Sequence, residues 1–535
     1  MFHHFDSDIS QESLPERLNC PTNYTPHPLA QRAARQLMSY LESHTEWKDE
    51  LANGKMFGVL VVKNGENVGF LAAFSGNLDG RSTIDYFVPP IYDCQAPEGT
   101  FKREERNISI INNNINKLIN SDKRAEAAEK LQKLLSESEG EIANRKEQIR
   151  QNKIRREQLR SDAQLSDDEK AELIRESQHE KAELHRYKLL INRDIDDARL
   201  QLKMIDEEIE QLRNQRHKKS IILQRWLFSQ YLLTNGLGRM RTIGDIFRTD
   251  LHRDPPSGTG ECAAPKLLQF AIRNNMKPIA LAEFWYGKSP LGVVRQHGAF
   301  YPACHQKCEP ILRFMLQGID YERDKRFDKT EEELQIIYED EHILVIIKPS
   351  GLASVDGNET SDSAERRIAQ YLGRDGHFVV HRLDMETSGL LLAAKDDNTF
   401  SLLRQQFERR LVSKKYIAVI DGEIANNEGV IDIPLRPDID DRPRQIVDYE
   451  HGKQAISKYK IINRENGRTR VGYQPLTGRT HQLRVHSVVG LGYPIVGDRL
   501  YGSQSSSRLL LHAAYLEFTH PITNQKLQFS SDAPF

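Results

Sequence analysis

No apolar run in the sequence approaches the roughly 18 residues that a membrane-spanning helix requires. The opening residues, Met1-Phe2-His3-His4-Phe5-Asp6, lack the basic-then-apolar layout of a secretory leader. A cytoplasmic protein with no membrane partner is therefore expected. Cysteine is scarce and odd in number: the five residues Cys20, Cys94, Cys262, Cys304 and Cys308 exclude a secreted disulfide framework. Charge of one sign is also lacking, since 75 Lys and Arg stand against 77 Asp and Glu. That balance excludes a protein that coats nucleic acid with general basic charge, so any RNA site must be local. The chain is nonetheless no disordered polyelectrolyte, because 38% of its 535 residues are hydrophobic. At about 150 residues per domain, three or four units are expected.

Between Phe101 and Leu233 proline is absent and Gly140 is the only glycine, while Glu, Lys, Arg and Gln dominate. This is the composition of long helices. Leu184, Tyr187, Ile191, Ile195, Ala198, Leu202, Ile205, Ile209 and Leu212 recur at spacings of three and four, which draws one narrow apolar seam. The pattern breaks at Ser161 to Glu169, where Ser166 and Glu169 have capping-box spacing, so a second helix is expected to start there. An antiparallel helical hairpin or coiled coil follows, with Leu131, Leu135, Ile142 and Ile149 of the earlier arm against the later seam. A spacer or dimerisation arm is the plainer reading of it, and contact with RNA or a ribosome precursor the sharper one.

On either side of this segment the sequence is that of a globular domain. Phe57 to Val62 and Val68 to Phe74 flank Lys63-Asn64-Gly65-Glu66-Asn67, which reads as a β-hairpin turning at Asn-Gly. Residues 234–328 can complete the domain begun at residue 1, making the hairpin an insertion. Cys304-His305-Gln306-Lys307-Cys308 places two thiols four apart, with Cys262 and His297 upstream, and zinc accepts such ligands. A second clear ligand pair is missing, so ordinary buried cysteines and no bound metal are the expectation. Cys262 before an apolar helical pattern, with His297 as its base, would make a cysteine nucleophile. That activity, confined to the N-terminal half, is a rival hypothesis.

From about Ile336 short strands and glycine turns take over: Ile343 to Ile347, Val379-Val380, Gly389 to Ala394, Tyr416 to Ile420, Val471 to Gln474 and Leu509 to Leu511. Helical patterns at Thr399 to Arg409 and Thr480 to Val489 lie between them. The fold class is α+β with a mixed, mainly antiparallel sheet, preceded by a smaller α+β domain that carries the helical insertion. The expected domains are 1–100, 101–233, 234–328, a linker at 329–340 and a catalytic domain at 341–535. Basic residues cluster at Arg404, Arg409, Arg410, Lys414 and Lys415 and again at Arg479, His481, Arg484 and His486, which would rim a cleft.

The order of motifs in this part is specific. Lys348-Pro349-Ser350-Gly351-Leu352, His381-Arg382-Leu383-Asp384 through Gly389-Leu390-Leu391, Lys414-Lys415-Tyr416, Leu476-Thr477-Gly478-Arg479-Thr480-His481-Gln482-Leu483-Arg484, Tyr493 to Asp498 and Leu511-His512-Ala513-Ala514 closely resemble the RluA-type pseudouridine synthases. The resemblance covers roughly the last 195 residues. It implies isomerisation of uridine to pseudouridine in structured RNA, in 23S rRNA and in a tRNA anticodon loop, without metal or organic cofactor. It implies catalytic roles for Asp384, Tyr416 and Arg484, and RNA contacts from Arg382, Arg479 and His481.

Chemistry fits these assignments. Moving uracil from its N1 to its C5 attachment needs an ionised carboxylate beside the sugar, which attacks sugar or base or assists an eliminated intermediate. A guanidinium keeps such a carboxylate charged. A tyrosine ring offers a stacking face to a flipped base, and an arginine fills the gap the base leaves. His381, Thr387, Ser388 and Gly389 are expected to shape the aspartate loop. Some 330 residues precede the resembling part, a departure from the family, whose members are little more than this domain. The rival reading of another class is an RNA-binding or ribosome-assembly factor that keeps the fold without turnover.

Overall fold

The computed structural model describes residues 1–162, 165–324, 332–357, 362–439, 441–503 and 505–535. Ala163 and Gln164 in the expected helix break, and 329–331 at the start of the expected linker, lie outside the described residues. The chain divides into two compact units, Cys94–Leu227 and Met1–Asp93 with Phe228–Phe535.

The first is helical: Thr100–Ile119, Asp122–Asp162 and the long Asp167–Gln230. All nine residues of the apolar seam are buried or half-buried. Arg156 donates to both carboxylate oxygens of Glu180, Arg124 to Asp206 and Arg216 to Asn112. The partner's number falls as the first number rises, which makes the packing antiparallel. The Ser166 hydroxyl accepts the Glu169 N–H while the Glu169 carboxylate accepts the Ser166 N–H, the reciprocal cap that the spacing indicated. Two features differ from expectation. Leu135 is 38% exposed because the inward stripe runs through Leu131, Leu134 and Ser138 instead. The helix Thr100–Ile119 also joins the bundle, packing Ile111 and Ile115 on Ile209.

In the other unit, Lys55–Asn64 lies between Asn67–Phe74 and Lys277–Tyr286 in an antiparallel sheet. Asn64 pairs with Asn67, so the turn is Gly65-Glu66, and the positive φ of 59° falls on Gly65. Helices Pro28–Ser43 and Ala263–Arg273 pack on this sheet.

The C-terminal sheet has nine strands among the described residues. Its order is Glu428–Asp432, Ile456–Glu465, Arg468–Pro475, Ser413–Ile420, Leu511–Thr519, Ser388–Ala394, Ile343–Lys348 and Gln335–Glu339, with Lys526–Ser530 also on Leu511–Thr519. Every neighbouring pair is antiparallel except Leu511–Thr519 with Ser388–Ala394, which is parallel. This is an α+β fold with a mixed, mainly antiparallel sheet. Ser388–Ala394 is buried throughout: Leu391 and Ala393 enter one core, Leu390, Leu392 and Ala394 the other. Two-sided burial explains its unbroken apolar run. Two expected strands differ: Val379 forms only an isolated bridge to Ala393, and the strand expected at Leu509–Leu511 begins where that span ends.

Within the same unit, Val294 shares a core with Leu435, Ala455, Val485 and Tyr501, and Arg295 donates to Asp441 at 3.0 Å. Among the described residues no helix is long and apolar enough to cross a membrane.

Candidate active site

A cleft of about 990 Å³ opens on the C-terminal sheet, lined by Arg382, Asp384, Phe407, Lys414, Tyr416 and Arg479 among others. It stands at the top of the roughly 300–1,000 Å³ range of small-molecule sites, with room beyond a single base.

Asp384 sits on the loop that precedes Ser388–Ala394, and the segment after Ile343–Lys348 clamps this loop. The Ser354 hydroxyl donates to Leu383 O and accepts the Leu383 N–H, at 2.7 and 2.9 Å. The Ser350 hydroxyl donates to Glu386 O at 2.7 Å. Lys348, fully buried, donates to the carbonyls of Pro349, Leu352 and Met385 at 2.9, 2.7 and 3.0 Å. Thr387 N–H closes the turn onto Asp384 O at 3.0 Å. Behind it, His381 stacks on Phe407 with ring centres 4.6 Å apart and accepts the Leu392 N–H, so its imidazole shapes the loop from inside. Burial drives that imidazole down to about 3, which keeps it neutral.

Burial raises the Asp384 carboxyl above the ordinary carboxylate range. The charges of Arg484, Lys348 and Arg382, and a hydrogen bond from the His481 backbone N–H, pull it back. Burial also draws Lys348 down, to about 7, with Asp384 and Glu386 opposing that fall. Three carbonyl acceptors around one nitrogen require three donors, which only the ammonium form supplies. Lys348 thus reads as a buried cation behind the aspartate. Tyr416 projects from Ser413–Ile420 into the cleft, and burial together with the charge of Asp384 holds its hydroxyl protonated.

Arg484 is 2% exposed and is held by carboxylates other than Asp384. Its Nε and Nη2 donate to the two oxygens of Asp498 at 2.7 and 2.6 Å, and Nη2 also donates to Glu386 at 3.0 Å. Its influence on Asp384 is through charge. Arg479 lines the cleft, with its Nε on Gln454 O and its N–H on the Gln482 side chain. Gln482 also accepts from the Thr477 hydroxyl, fixing the Thr477-Gly478-Arg479 turn. Arg382 is exposed on the cleft wall.

His481 departs from its expected role. It is 6% exposed, its Nδ1 lies 2.9 Å from the Tyr501 hydroxyl, and it caps Gln482–Leu491 in a left-handed conformation, φ 51°. The ring points inward and the backbone N–H serves Asp384. The cationic rim is likewise narrower than the sequence suggests: His486 and Arg484 are buried, and Arg404 pairs with Glu408. The sequence reading gave no role to Lys348, Glu386, Asp498 or Gln482. The one signal was a lysine closing the otherwise apolar strand Ile343–Lys348.

The rival pairing of Cys262 with His297 is not formed. His297 accepts the Gly287 N–H and lies edge-on to Tyr286, whereas Cys262 faces Cys304 and Cys308.

The clamped, half-buried carboxylate of Asp384 thus shares a cleft with Tyr416, while the charges of the buried Lys348 and Arg484 act on it. Residues 342–487 match the family model of RNA pseudouridylate synthase. The dual-specificity RNA pseudouridine synthase RluA of Vibrio cholerae is 46% identical over 194 residues, 35% of this chain and 78% of that protein. The protein of the same name from Haemophilus influenzae is 41% identical over 211 residues, 38% of this chain and 94% of that one. Human RNA Pseudouridylate Synthase Domain Containing 1 aligns at 27% identity and a TM-score of 0.34, over 39% of this chain and 86% of that one. The chain belongs to the RluA family of RNA pseudouridine synthases, isomerases that convert uridine to pseudouridine in RNA.

Proposed function

We propose that this chain isomerises uridines in two classes of cytoplasmic RNA, a 23S rRNA stem-loop and a tRNA anticodon loop, with Asp384 as the reacting carboxylate. The observation that carries this reading is the position of Asp384, on a clamped loop at a cleft wide enough for a flipped nucleotide. In the reaction the bond from N1 to the ribose C1′ breaks and one from C5 to C1′ forms. The C5 proton is lost and N1 gains one. Asp384 acts beside the sugar, Tyr416 stacks on the turning base with its hydroxyl protonated, and Arg484 keeps the carboxylate charged from behind. Arg382 fills the vacated stack and Arg479 holds the backbone. His481 acts through its backbone N–H and not as an RNA ligand.

For the residues before the catalytic domain expected at 341–535 we keep the division at 1–100, 101–233, 234–328 and 329–340, except that Gln335–Glu339 of the expected linker is an edge strand of the catalytic sheet, and we assign the helical hairpin a contact with the ribosome precursor. Tritium release from C5-labelled uridine tests both parts, with tRNA, 23S transcript and precursor particles as separate substrates. Release from tRNA and from 23S RNA supports dual specificity. Replacing residues 101–227 by a short linker should slow release from precursor particles and leave tRNA unchanged. Release from no substrate supports an RNA-binding assembly factor instead.

A further inference from the structure

The sulfurs of Cys262, Cys304 and Cys308 lie within 4.8 Å of one another, and no disulfide joins them. They come from two chain segments far apart in sequence. Cys262 is the N-cap of helix Ala263–Arg273 and makes no capping hydrogen bond with its side chain. Cys308 opens helix Cys308–Met315, which packs on the first. Both positive helix ends are thus turned toward the sulfurs and favour thiolates. Cys304 lies in the turn between, its sulfur accepting the backbone N–H groups of Lys307 and Cys308. This wrapping of one sulfur by amides while two more face it preorganises negative charge.

Tetrahedral zinc with sulfur at about 2.3 Å sets its thiolates about 3.8 Å apart, which the cluster accommodates. Soft thiolates select zinc, copper(I) or iron–sulfur clusters, and the last ordinarily take four cysteines. Among the described residues no fourth ligand joins the three. Cys262 and Cys304 remain partly exposed, so water can complete the coordination.

We propose that Cys262, Cys304 and Cys308 form a zinc site, with solvent as the fourth ligand. Each binding thiol gives its proton to the buffer. The ion ties the start of Ala263–Arg273 to the segment that runs back from Cys304 to Tyr301 and Arg295. That segment meets the catalytic region, where Arg295 binds Asp441 and a Cβ on Gly502 would lie 2.8 Å from the Tyr301 hydroxyl. The ion therefore bridges two separate segments of the fold, and its loss should loosen the seat of the catalytic region.

The test is metal analysis of the full chain purified under reducing conditions, followed by cobalt titration of the chelator-treated protein. The expected result is about one zinc per chain. Cobalt should show intense near-ultraviolet thiolate-to-metal transfer with the visible bands of a tetrahedral site, and chelation should lower the melting temperature. Cys304→Ser and Cys308→Ser should lose the zinc, whereas Cys94→Ser should keep it. Absence of zinc together with absence of a cobalt–thiolate spectrum in the unmutated chain overturns the proposal whether or not the variants fold. So does zinc retained undiminished in Cys304→Ser, copper or iron in its place, or a metal-free chain lighter by the two hydrogens of a disulfide.

Discussion

Asp384 answers two opposed demands, because burial gives the carboxyl a defined geometry and also favours its uncharged form. Desolvation wins in the RNA-free protein and the carboxyl titrates above its ordinary range. Activity should therefore be present at neutral pH and fall, as pH drops, through a limb higher than the usual carboxylate value near 4. Lys348, Arg484 and Arg382 set where the limb lies by favouring the charged form. Lys348→Met should move it to higher pH, since a cation that lowers the Asp384 pKa is gone. A kcat/KM profile measures this, and a lower rate with an unmoved limb would reduce Lys348 to a loop support. Arg484 carries a different load. It is the shared partner of Asp498, which is 0% exposed, and of Glu386. Arg484→Met strands those carboxylates, which should cost about 3–5 kcal/mol in denaturant unfolding besides impairing turnover. The motifs singled out Asp384, Tyr416 and Arg484, and the first two line one cleft. The partners of Arg484 were not legible there, because the fold and not the sequence brings residues 386, 484 and 498 together. For the same reason the inward turn of His481 was hidden: a histidine in a basic span reads as surface until its φ of 51° and its contact with Tyr501 are known.

Elements were legible where periodicity is strong and their edges obscure where tertiary pairing decides. The seam from Leu184 to Leu212 announces its helix, and Ser166 with Glu169 announces its start. Leu135 fell off the stripe because the face turned inward there passes through Leu131, Leu134 and Ser138. Leu509–Leu511 is apolar enough for a strand, but the ladder there begins at Leu511, which pairs with Ala418. Gly389 shows what such pairing demands. It has φ 119°, and a Cβ would lie 2.4 Å from Ala513 O, where Ser388–Ala394 runs parallel to Leu511–Thr519. No L side chain fits that backbone and that approach together. Gly389→Ala should therefore destabilise by at least about 1–3 kcal/mol and displace the adjoining aspartate loop. Urea unfolding and the isomerisation rate check this, and an unchanged midpoint would contradict the close approach.

Over the whole molecule, a net charge of −2 conceals a local site, since the arginines and lysines that matter surround one cleft while the helical unit spends its charge on pairs such as Arg156 with Glu180. Composition could exclude general nucleic-acid coating but not locate this cleft; the ordered motifs located it. The preceding residues were the least legible part. Cys304 and Cys308 stand four apart and suggest one ligand pair, but Cys262 is distant in sequence, and only the packing of Ala263–Arg273 on Cys308–Met315 shows that all three sulfurs meet. The proposed mechanism nevertheless rests on one side chain, and one measurement addresses it: single-turnover tritium release from C5-labelled tRNA, comparing the full chain with Asp384→Asn, with RNA binding measured on the same preparations. Release by the unmutated chain, with loss of release and retention of binding in Asp384→Asn, is the expected result. Release by Asp384→Asn at the unmutated rate would contradict the assignment of the reaction to that carboxylate.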